Sequence, residues 1–294
     1  MERAVYHLPG LFEFYDFYRK FLPLYRTHPE YFYDWCQIGS LYGAPADCLW
    51  AGGRVSTGNA DPRQVLALTE EYGLSARLTF SNSLLCPEHL KDPKCNRLCA
   101  LFGAEPGNGV IVHSELLLAY LKEKYPNFYF VSSTTKVLTD FEDLAAETER
   151  PDFRYVVPDF RLNKAFDRLA GLKEKRKVEF LCNECCWPGC RERKECYENV
   201  SRKNLGEHCP DHICAAPEGE KGYRFSAAMK NPAFIGIRDI RETYLPMGFS
   251  QFKIEGRGLG SAMLLEFILY YLTKPEYQLP LREEMYLDSM LDLF

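Results

Sequence analysis

The feature that most constrains the fold is a regular alternation of short apolar segments with helical patterns. Several of the short segments are apolar on both faces, as in Val110–Val112 and Phe128–Val131, which is typical of parallel strands covered by helices. The predicted strands are Ala4–Leu8, Asp47–Ala51, Ala76–Ser81, Gly109–Ser114, Asn127–Ser132, Phe153–Pro158, Lys177–Asn183 and Ser250–Glu255. The alternation predicts an α/β protein with a (β/α)8 TIM-barrel-like fold. An open doubly wound sheet is the alternative, and the missing G-x-G-x-x-G after the first strand counts against it.

Capping residues and aromatic patterns define the helices between these strands. Asp61, Ser114 and Asn163 each stand where a side chain can cap the first turn of a helix. The aromatic-rich segment Glu13–Trp35 is expected to form a first helical layer.

One stretch interrupts the alternation after strand seven. Residues 192–231 are rich in charge, glycine, proline and cysteine, and they are too long for an ordinary connection. With the end of the preceding strand, they define a predicted Cys-rich metal-binding insertion at 182–231. No repeat, low-complexity tract or linker divides the chain, so residues 1–294 are predicted to form one domain.

Cysteine spacing indicates a metal within this insertion. Seven of the 12 cysteines fall between Cys182 and Cys214. Neighbouring thiolates repel one another unless a cation neutralises them, so such clusters usually bind metal. The pairs Cys186-x3-Cys190 and Cys209-x4-Cys214 are wider than the C-x2-C knuckles of structural zinc sites. They favour an iron–sulfur cluster, with zinc as the open alternative.

A second group of polar residues lies on the last predicted strand. Lys253, Glu255 and Arg257 alternate along it and therefore share a face. Near a barrel mouth they would form a mixed-charge floor for a carboxylate or phosphate, with Arg257 as a bidentate donor. A structural salt-bridge triad that closes the barrel is the alternative. Glu184 is a further polar residue at the end of strand seven.

Composition and missing motifs narrow the functional classes. The formal net charge of −5 counts against a protein that wraps duplex nucleic acid, although a local basic cleft stays open. No apolar run is long enough for a membrane helix, and the N-terminus lacks the layout of a secretion signal, so a cytoplasmic location is expected. A G-x-S-x-G elbow, a P-loop and the HEXXH zinc-protease motif are all missing.

Three stretches resemble a known family, the collagenase-like peptidases of class U, number thirty-two. Gly248–Arg257 resembles the family's signature that ends in K-I-E-G-R, and Asn183–Arg193 resembles the N-E-x-C-x-x-x-C-x-x-R element of one branch. Gly109–Lys136 is similar to a third family stretch. The resemblance implies a (β/α)8-like barrel and, in many members, an oxygen-sensitive [4Fe–4S] cluster held by four cysteines. The family name records an early claim of proteolysis, whereas several members support oxygen-independent hydroxylation of RNA bases or of a ubiquinone precursor.

The resemblance also implies roles for particular residues. Cys186 and Cys190 match the branch's C-x3-C pair, and Arg193 matches its arginine. Glu255 and Arg257 match the signature, which favours a functional role for the group that includes Lys253. The candidate catalytic residues are therefore Lys253, Glu255, Arg257, Arg193 and Glu184. The candidate cluster ligands are Cys186, Cys190, Cys209 and Cys214, with Cys182, Cys185 and Cys196 as alternates.

These inferences predict an anaerobic iron–sulfur enzyme that acts on a small molecule or an RNA base. Its [4Fe–4S] cluster is expected at the barrel mouth, and the protein is expected to work without a membrane, as a homo- or hetero-oligomer if it assembles. A peptidase, and a zinc-stapled protein that binds a partner without catalysis, are the alternatives.

Overall fold

The fold is built around one parallel sheet. The computed structural model describes residues 2–53, 58–217, 219 and 222–290, with side chains as far as residue 286. The strands are β1 (Ala4–Pro9), β2 (Cys36–Gly43), β3 (Ser75–Phe80), β4 (Gly109–Val112), β5 (Tyr129–Ser132), β6 (Phe153–Val156), β7 (Glu179–Leu181) and β8 (Gln251–Lys253). They are all parallel and pair in the order β6-β5-β4-β3-β2-β1-β8-β7. An isolated bridge between Val156 and Val178 joins the two ends of the sheet, so the strands form a nearly closed barrel.

Helices surround the barrel, which confirms the predicted α/β, TIM-barrel-like fold. The α-helices are α1 (Tyr15–Thr27), α2 (Pro62–Glu71), α3 (Pro93–Phe102), α4 (Glu115–Lys124), α5 (Phe141–Glu149), α6 (Phe166–Ala170), α7 (Arg193–Asn204), α8 (Phe225–Ala228), α9 (Ile237–Asp239), α10 (Ser261–Tyr271) and α11 (Gln278–Met290). Single turns of 3-10 helix lie at Pro29–Tyr31, Pro87–Lys91, Thr134–Lys136, Phe160–Leu162, Lys175–Lys177 and Pro275–Tyr277, and a π-helical turn spans Ile240–Tyr244. Within the described ranges, no helix combines the length and the apolar character needed to cross a membrane.

Two of the three predicted helix caps are present. The Asp61 carboxylate accepts a hydrogen bond from the Arg63 N–H at 2.8 Å, and the Ser114 hydroxyl accepts one from the Leu117 N–H at 3.3 Å. The prediction for Asn163 is wrong, because the helix starts only at Phe166. The Asn163 amide is used elsewhere: it donates to the carbonyl oxygens of Leu181 and Ala233, both at 2.9 Å.

The second strand was predicted in the wrong place. Residues 47–51 form a loop in which Asp47 has the left-handed φ of 57°, and the strand is Cys36–Gly43 instead. This strand has no continuous apolar run, because it presents the small polar side chain of Ser40 to the barrel interior. The run at 47–51 is apolar for a different reason, since the ring of Trp50 is buried against Phe80.

Charged side chains fill the lower part of the barrel interior, toward the N-terminal ends of the strands. Arg77 Nη1 lies 2.5 Å from Glu179 Oε2, and Lys253 Nζ lies 3.3 Å from Glu179 Oε1. Burial opposes ionisation of Glu179, but Arg77 above all, and Lys253, hold the pKa of this carboxyl well below its usual range. We call Arg77, Glu179 and Lys253, together with the adjacent His7, the interior ion cluster.

His7 completes this cluster as a neutral group. Its Nδ1 lies 2.8 Å from the Ser40 hydroxyl and its Nε2 lies 3.0 Å from Gln251 Oε1. Burial, reinforced by the positive charge of Arg77, lowers the pKa of His7 to about 3. A neutral imidazole that donates to Gln251 and accepts from Ser40 satisfies both ring nitrogens.

An apolar layer lies above the interior ion cluster. Side chains two residues apart on a strand point to the same side. The inward-pointing residues Glu179, Tyr129 and Tyr155 are therefore followed, one step nearer the C-terminal ends of the strands, by Leu181, Val131 and Val157. This layer is formed by Tyr42, Ile111, Val131, Val157 and Leu181, all at least nine-tenths buried. It separates His7, Arg77 and Glu179 from the mouth of the barrel, whereas Lys253 passes through it.

We predict that His7 makes folding stability depend on pH. The unfolded chain binds a proton at this position below a pH of about 6.5, whereas folded His7 stays neutral down to about pH 3. Stability therefore falls as the pH drops through this range, and between pH 7 and pH 5 the native chain should lose about 2 kcal/mol more than a His7→Gln variant. Urea unfolding at both pH values measures the difference.

His28→Gln, a change at the surface, is the control for loss of an imidazole as such. An equal pH dependence in the native chain and in His7→Gln would contradict the burial of a neutral His7.

Candidate active site

A cavity of about 1040 Å³ lies at the C-terminal ends of the strands. Its wall includes Ser81 after β3, Thr134 after β5, Glu184 after β7 and Glu255 after β8. Barrels of this kind build their active sites from the loops at this end, because the strand ends there converge on one space. The cavity is therefore the candidate active site.

Lys253 reaches this cavity from the end of β8. Its amine lies 3.7 Å from the centre of the Tyr42 ring, and the Tyr42 hydroxyl is held in turn by the carbonyl of Ile254 at 2.6 Å. Burial lowers the pKa of Lys253 to about 8, even though the carboxylate of Glu179 favours the charged form. The amine can therefore gain or lose a proton close to neutral pH.

Arg257 lines the same cavity as one half of an ion pair. Its guanidinium lies 2.7 Å from Glu13 and also donates to the carbonyl of Ala44 at 3.3 Å. Glu13 was not among the candidate residues predicted from the sequence. Its place in the loop after β1 was the available signal, since that loop opens toward the barrel mouth. A carboxylate or phosphate that binds Arg257 must therefore share the guanidinium with Glu13.

Glu255 is positioned by its neighbour at the end of β7. Asn183 Oδ1 accepts from the Glu255 N–H at 2.8 Å, and Asn183 Nδ2 donates to the Glu255 carbonyl at 3.1 Å. These two bonds join the ends of β7 and β8. They fix the point from which the Glu255 side chain enters the cavity wall.

Glu184 and Arg193 form a buried ion pair on the other side of the cavity. Arg193 Nη2 lies 2.6 Å from Glu184 Oε2, and Arg193 Nε lies 3.5 Å from Asp159 Oδ2. The second oxygen of Glu184 accepts from the N–H groups of Cys185 and Cys186, at 2.9 and 3.0 Å. Glu184 thus fixes the first turn of the Cys-rich segment to the first turn of α7. Asp159 is a partner of Arg193 that spacing alone did not identify.

The seven clustered cysteines occupy three places. Cys182 points away from the cavity into the helical layer, where it is fully buried and where burial raises the pKa of its thiol. Cys209 lies beside α7, where the Asn199 amide donates to its sulfur at 3.6 Å. The remaining five line the cavity, namely Cys185, Cys186, Cys190, Cys196 and Cys214. Three of the four predicted ligands therefore line the cavity, and Cys209 does not.

The donor chemistry at this cavity suits a thiophilic group. Thiolates are the usual ligands of iron–sulfur clusters and of structural zinc, and five thiols share this wall. The Cys190 N–H donates to the Trp187 carbonyl at 3.0 Å and closes a turn in the segment between Cys186 and Cys190. Among the residues described here, no three His, Cys, Asp or Glu side chains are already gathered into a metal site. The identity of the ligands thus stays a prediction.

Hydroxyl groups supply a further polar surface. Thr79, Ser81 and Thr134 line the cavity, and their buried hydroxyls have no hydrogen-bond partner within the described part of the chain. Such groups can donate to and accept from a bound polar molecule. Ser81 and Thr134 were visible in the sequence as polar residues at strand ends, whereas Thr79 was hidden within an apolar strand.

The fold and site define a (β/α)8-barrel protein with a Cys-rich segment at the mouth of its barrel. No protein-family model matches the sequence, and the search of curated proteins found no match. The chain is similar in structure to a protein described as the U32 peptidase Mk0906, with a TM-score of 0.56 and 16% sequence identity. The likeness covers 88% of this chain and 94% of that one. It shows a shared barrel architecture over most of both chains.

We predict that Glu184→Gln destabilises the protein. The amide keeps an acceptor for the N–H groups of Cys185 and Cys186 but removes the charge that faces Arg193. Breaking a buried ion pair in this way should lower the free energy of unfolding by about 3 kcal/mol, since Asp159 compensates only part of the remaining charge. Urea unfolding measures the loss.

Glu195→Gln is the matched control, because this glutamate is exposed in the first turn of α7. Its effect should stay within about 0.5 kcal/mol. Equal effects of the two substitutions would contradict a structural role for the Glu184–Arg193 pair.

We also predict that Lys253 reacts with amine reagents at unusually low pH. Acylation requires the neutral amine, so the rate at Lys253 should reach half its maximum near pH 8, whereas a lysine side chain in water titrates at about 10.4. Peptide mass spectrometry across pH 6–11 measures the profile, and Lys253→Arg identifies the labelled peptide. A rate that still rises steeply above pH 10 would be incompatible with the buried amine.

Proposed function

We propose that this chain is an iron–sulfur enzyme of the U32 peptidase-like family. In this proposal it carries out oxygen-independent hydroxylation, or related redox chemistry, on a small molecule or an RNA base. The observation that carries the proposal is the convergence of five cysteines with Lys253, Glu255 and Arg257 on one cavity. The resemblance of 183–193 and 248–257 to the family's motifs supports it independently of the fold.

The proposed ligands of a [4Fe–4S] cluster are Cys186, Cys190, Cys209 and Cys214. Cys185 and Cys196 line the cavity wall with Cys186, Cys190 and Cys214, and they are alternates. When bound, such a cluster supplies one-electron transfer, or a Lewis-acidic iron if one position is left open. Cys182 is the least suitable alternate, because its thiol is buried in the helical layer.

The chain's own residues would bind and orient the substrate. Lys253, with its pKa of about 8, can donate a hydrogen bond to an anionic group or transfer a proton at Nζ. The hydroxyls of Thr79, Ser81 and Thr134 offer hydrogen bonds on the same surface. Arg257, paired with Glu13, adds positive charge where a carboxylate or phosphate would lie. Glu184 holds the cysteine-bearing turn in place.

We also propose that the protein acts in the cytoplasm. Reduced thiols and an oxygen-sensitive cluster are both compatible with that compartment. We propose in addition that the chain can work as a homo- or hetero-oligomer.

The deciding experiment is anaerobic purification followed by analysis of iron, acid-labile sulfide and zinc. We expect a brown protein with about four irons per chain. Cys186→Ala and Cys190→Ala should each lose the colour and most of the iron, because each removes a thiolate ligand. Cys182→Ala is the matched control and should keep both, since this thiol faces away from the cavity.

Other outcomes select the alternative functions. One zinc per chain, with no iron at any step, would replace the enzyme by a zinc-stapled binding protein. Peptide cleavage that survives substitution of all seven clustered cysteines would support a peptidase instead.

A further inference from the structure

A pair of cysteines outside the Cys-rich segment lies in direct contact. The sulfur atoms of Cys48 and Cys95 are 3.3 Å apart, although 47 positions separate them along the chain. Cys95 is fully buried in the first turn of α3, and Cys48, in the loop between β2 and α2, is 3% exposed. Neither residue lines the cavity of the candidate active site.

We propose that Cys48 and Cys95 are a redox-sensitive dithiol that hydroperoxides convert into a reversible disulfide. The sulfurs need to approach by little more than 1 Å to reach the bond length of about 2.05 Å. The Asp92 carboxylate holds the first turn of α3 by accepting from the Cys95 N–H at 2.7 Å. Cys95 is therefore presented by a helix whose first turn is held in place.

The two thiols differ in a way that assigns their roles. Hydrogen bonding from Cys95, with help from the backbone N–H groups of Trp50 and Ala51 and from Lys94, lowers the pKa of the Cys48 thiol despite its burial. The same contact with Cys48, together with burial, raises the pKa of Cys95. Of the two thiols, Cys48 is thus the one that ionises more readily and attacks the oxidant, and Cys95 is the thiol that resolves the product.

The chemistry balances with a hydroperoxide as the oxidant. The Cys48 thiolate attacks one peroxide oxygen, the O–O bond breaks, and the other oxygen leaves as an alcohol or as water after protonation. The sulfenic acid formed on Cys48 is then attacked by Cys95, the S–O bond breaks, and water leaves with the Cys95 proton. Two thiols lose two electrons and two protons in total, and the peroxide gains them.

The loop that the disulfide would join to α3 also contacts the wall of the cavity. Gly52 packs so closely that a Cβ there would lie 2.2 Å from the carbonyl oxygen of Ser81, and Gly53 lines the cavity beside Arg257. The Asn204 amide at the end of α7 donates to the carbonyl of Ala51 at 2.6 Å. A disulfide at Cys48 therefore fixes a segment that contacts both β3 and the helix of the Cys-rich insertion.

The test is peptide mapping of the full chain after treatment with hydrogen peroxide under anaerobic conditions in the presence of a chelator. Remaining thiols are alkylated in denaturant before non-reducing proteolysis. We expect the Cys48 and Cys95 peptides to be joined, with the mass of two hydrogen atoms lost, and to separate again after dithiothreitol. Recovery of both cysteines as separately alkylated thiols would overturn the proposal. This measurement needs no variant, so it does not depend on whether a substituted protein folds.

Variants test the assigned roles. Cys99→Ala is the matched control, since Cys99 is buried one turn further along α3, and it should leave the link intact. In Cys95→Ala, a sulfenic acid should accumulate on Cys48 and react with dimedone, whereas Cys48→Ala should leave Cys95 unlabelled. A Cys95 adduct in Cys48→Ala, or a link that persists there through Cys99, would contradict the roles given to the two thiols.

Discussion

The structure depends most on one ionised carboxylate inside the barrel. Glu179 has no exposed surface, and removing a carboxylate from water costs several kcal/mol unless charged partners surround it. Arg77 lies on β3, four strands away from β7 in the order of the sheet, so their contact crosses the barrel. Lys253 approaches from the adjacent β8. The barrel must therefore close with these strands in one register, because a shift by one residue would turn a charged side chain outward into the apolar helical layer.

The strand register that Glu179 requires also positions residues at the mouth of the barrel. Lys253 and Leu181 are paired in the register of β7 and β8, so the lysine stem passes the apolar layer while its amine reaches Glu179. Beyond this layer, the strand ends are tied by side chains rather than by the sheet ladder. Asn183 joins the ends of β7 and β8, and the Glu184–Arg193 pair joins β7 to α7. The Cys-rich segment is thus positioned by polar contacts at the end of β7, together with the bond from the Arg161 guanidinium to the Cys190 carbonyl at 2.8 Å.

The sequence patterns that predicted the barrel were those that burial imposes within a single strand or helix. Strands apolar on both faces, such as 128–131, are recognisable because both faces are buried. The strand at 36–43 was missed, because its inward face carries Ser40 as a partner for His7, a requirement set by other strands. In the same way, alternation placed Lys253 and Glu255 on one face, whereas the contact of Arg257 with Glu13 joins residues 244 positions apart. Such pairings arise from barrel closure, and the position of Glu13 in the loop after β1 is the sole trace that this one leaves in the sequence.

The charge balance of the interior ion cluster bears directly on what the cavity can bind. Arg77 and protonated Lys253 carry two positive charges against the single carboxylate of Glu179, while His7 stays neutral. Burial and this surplus explain why Lys253 releases its proton near pH 8, whereas Arg77 retains its own. A negative charge that enters the cavity restores the balance and raises the pKa of Lys253. Anion binding and protonation of Lys253 are therefore linked, and the interior that holds the barrel together also sets the charge at its mouth.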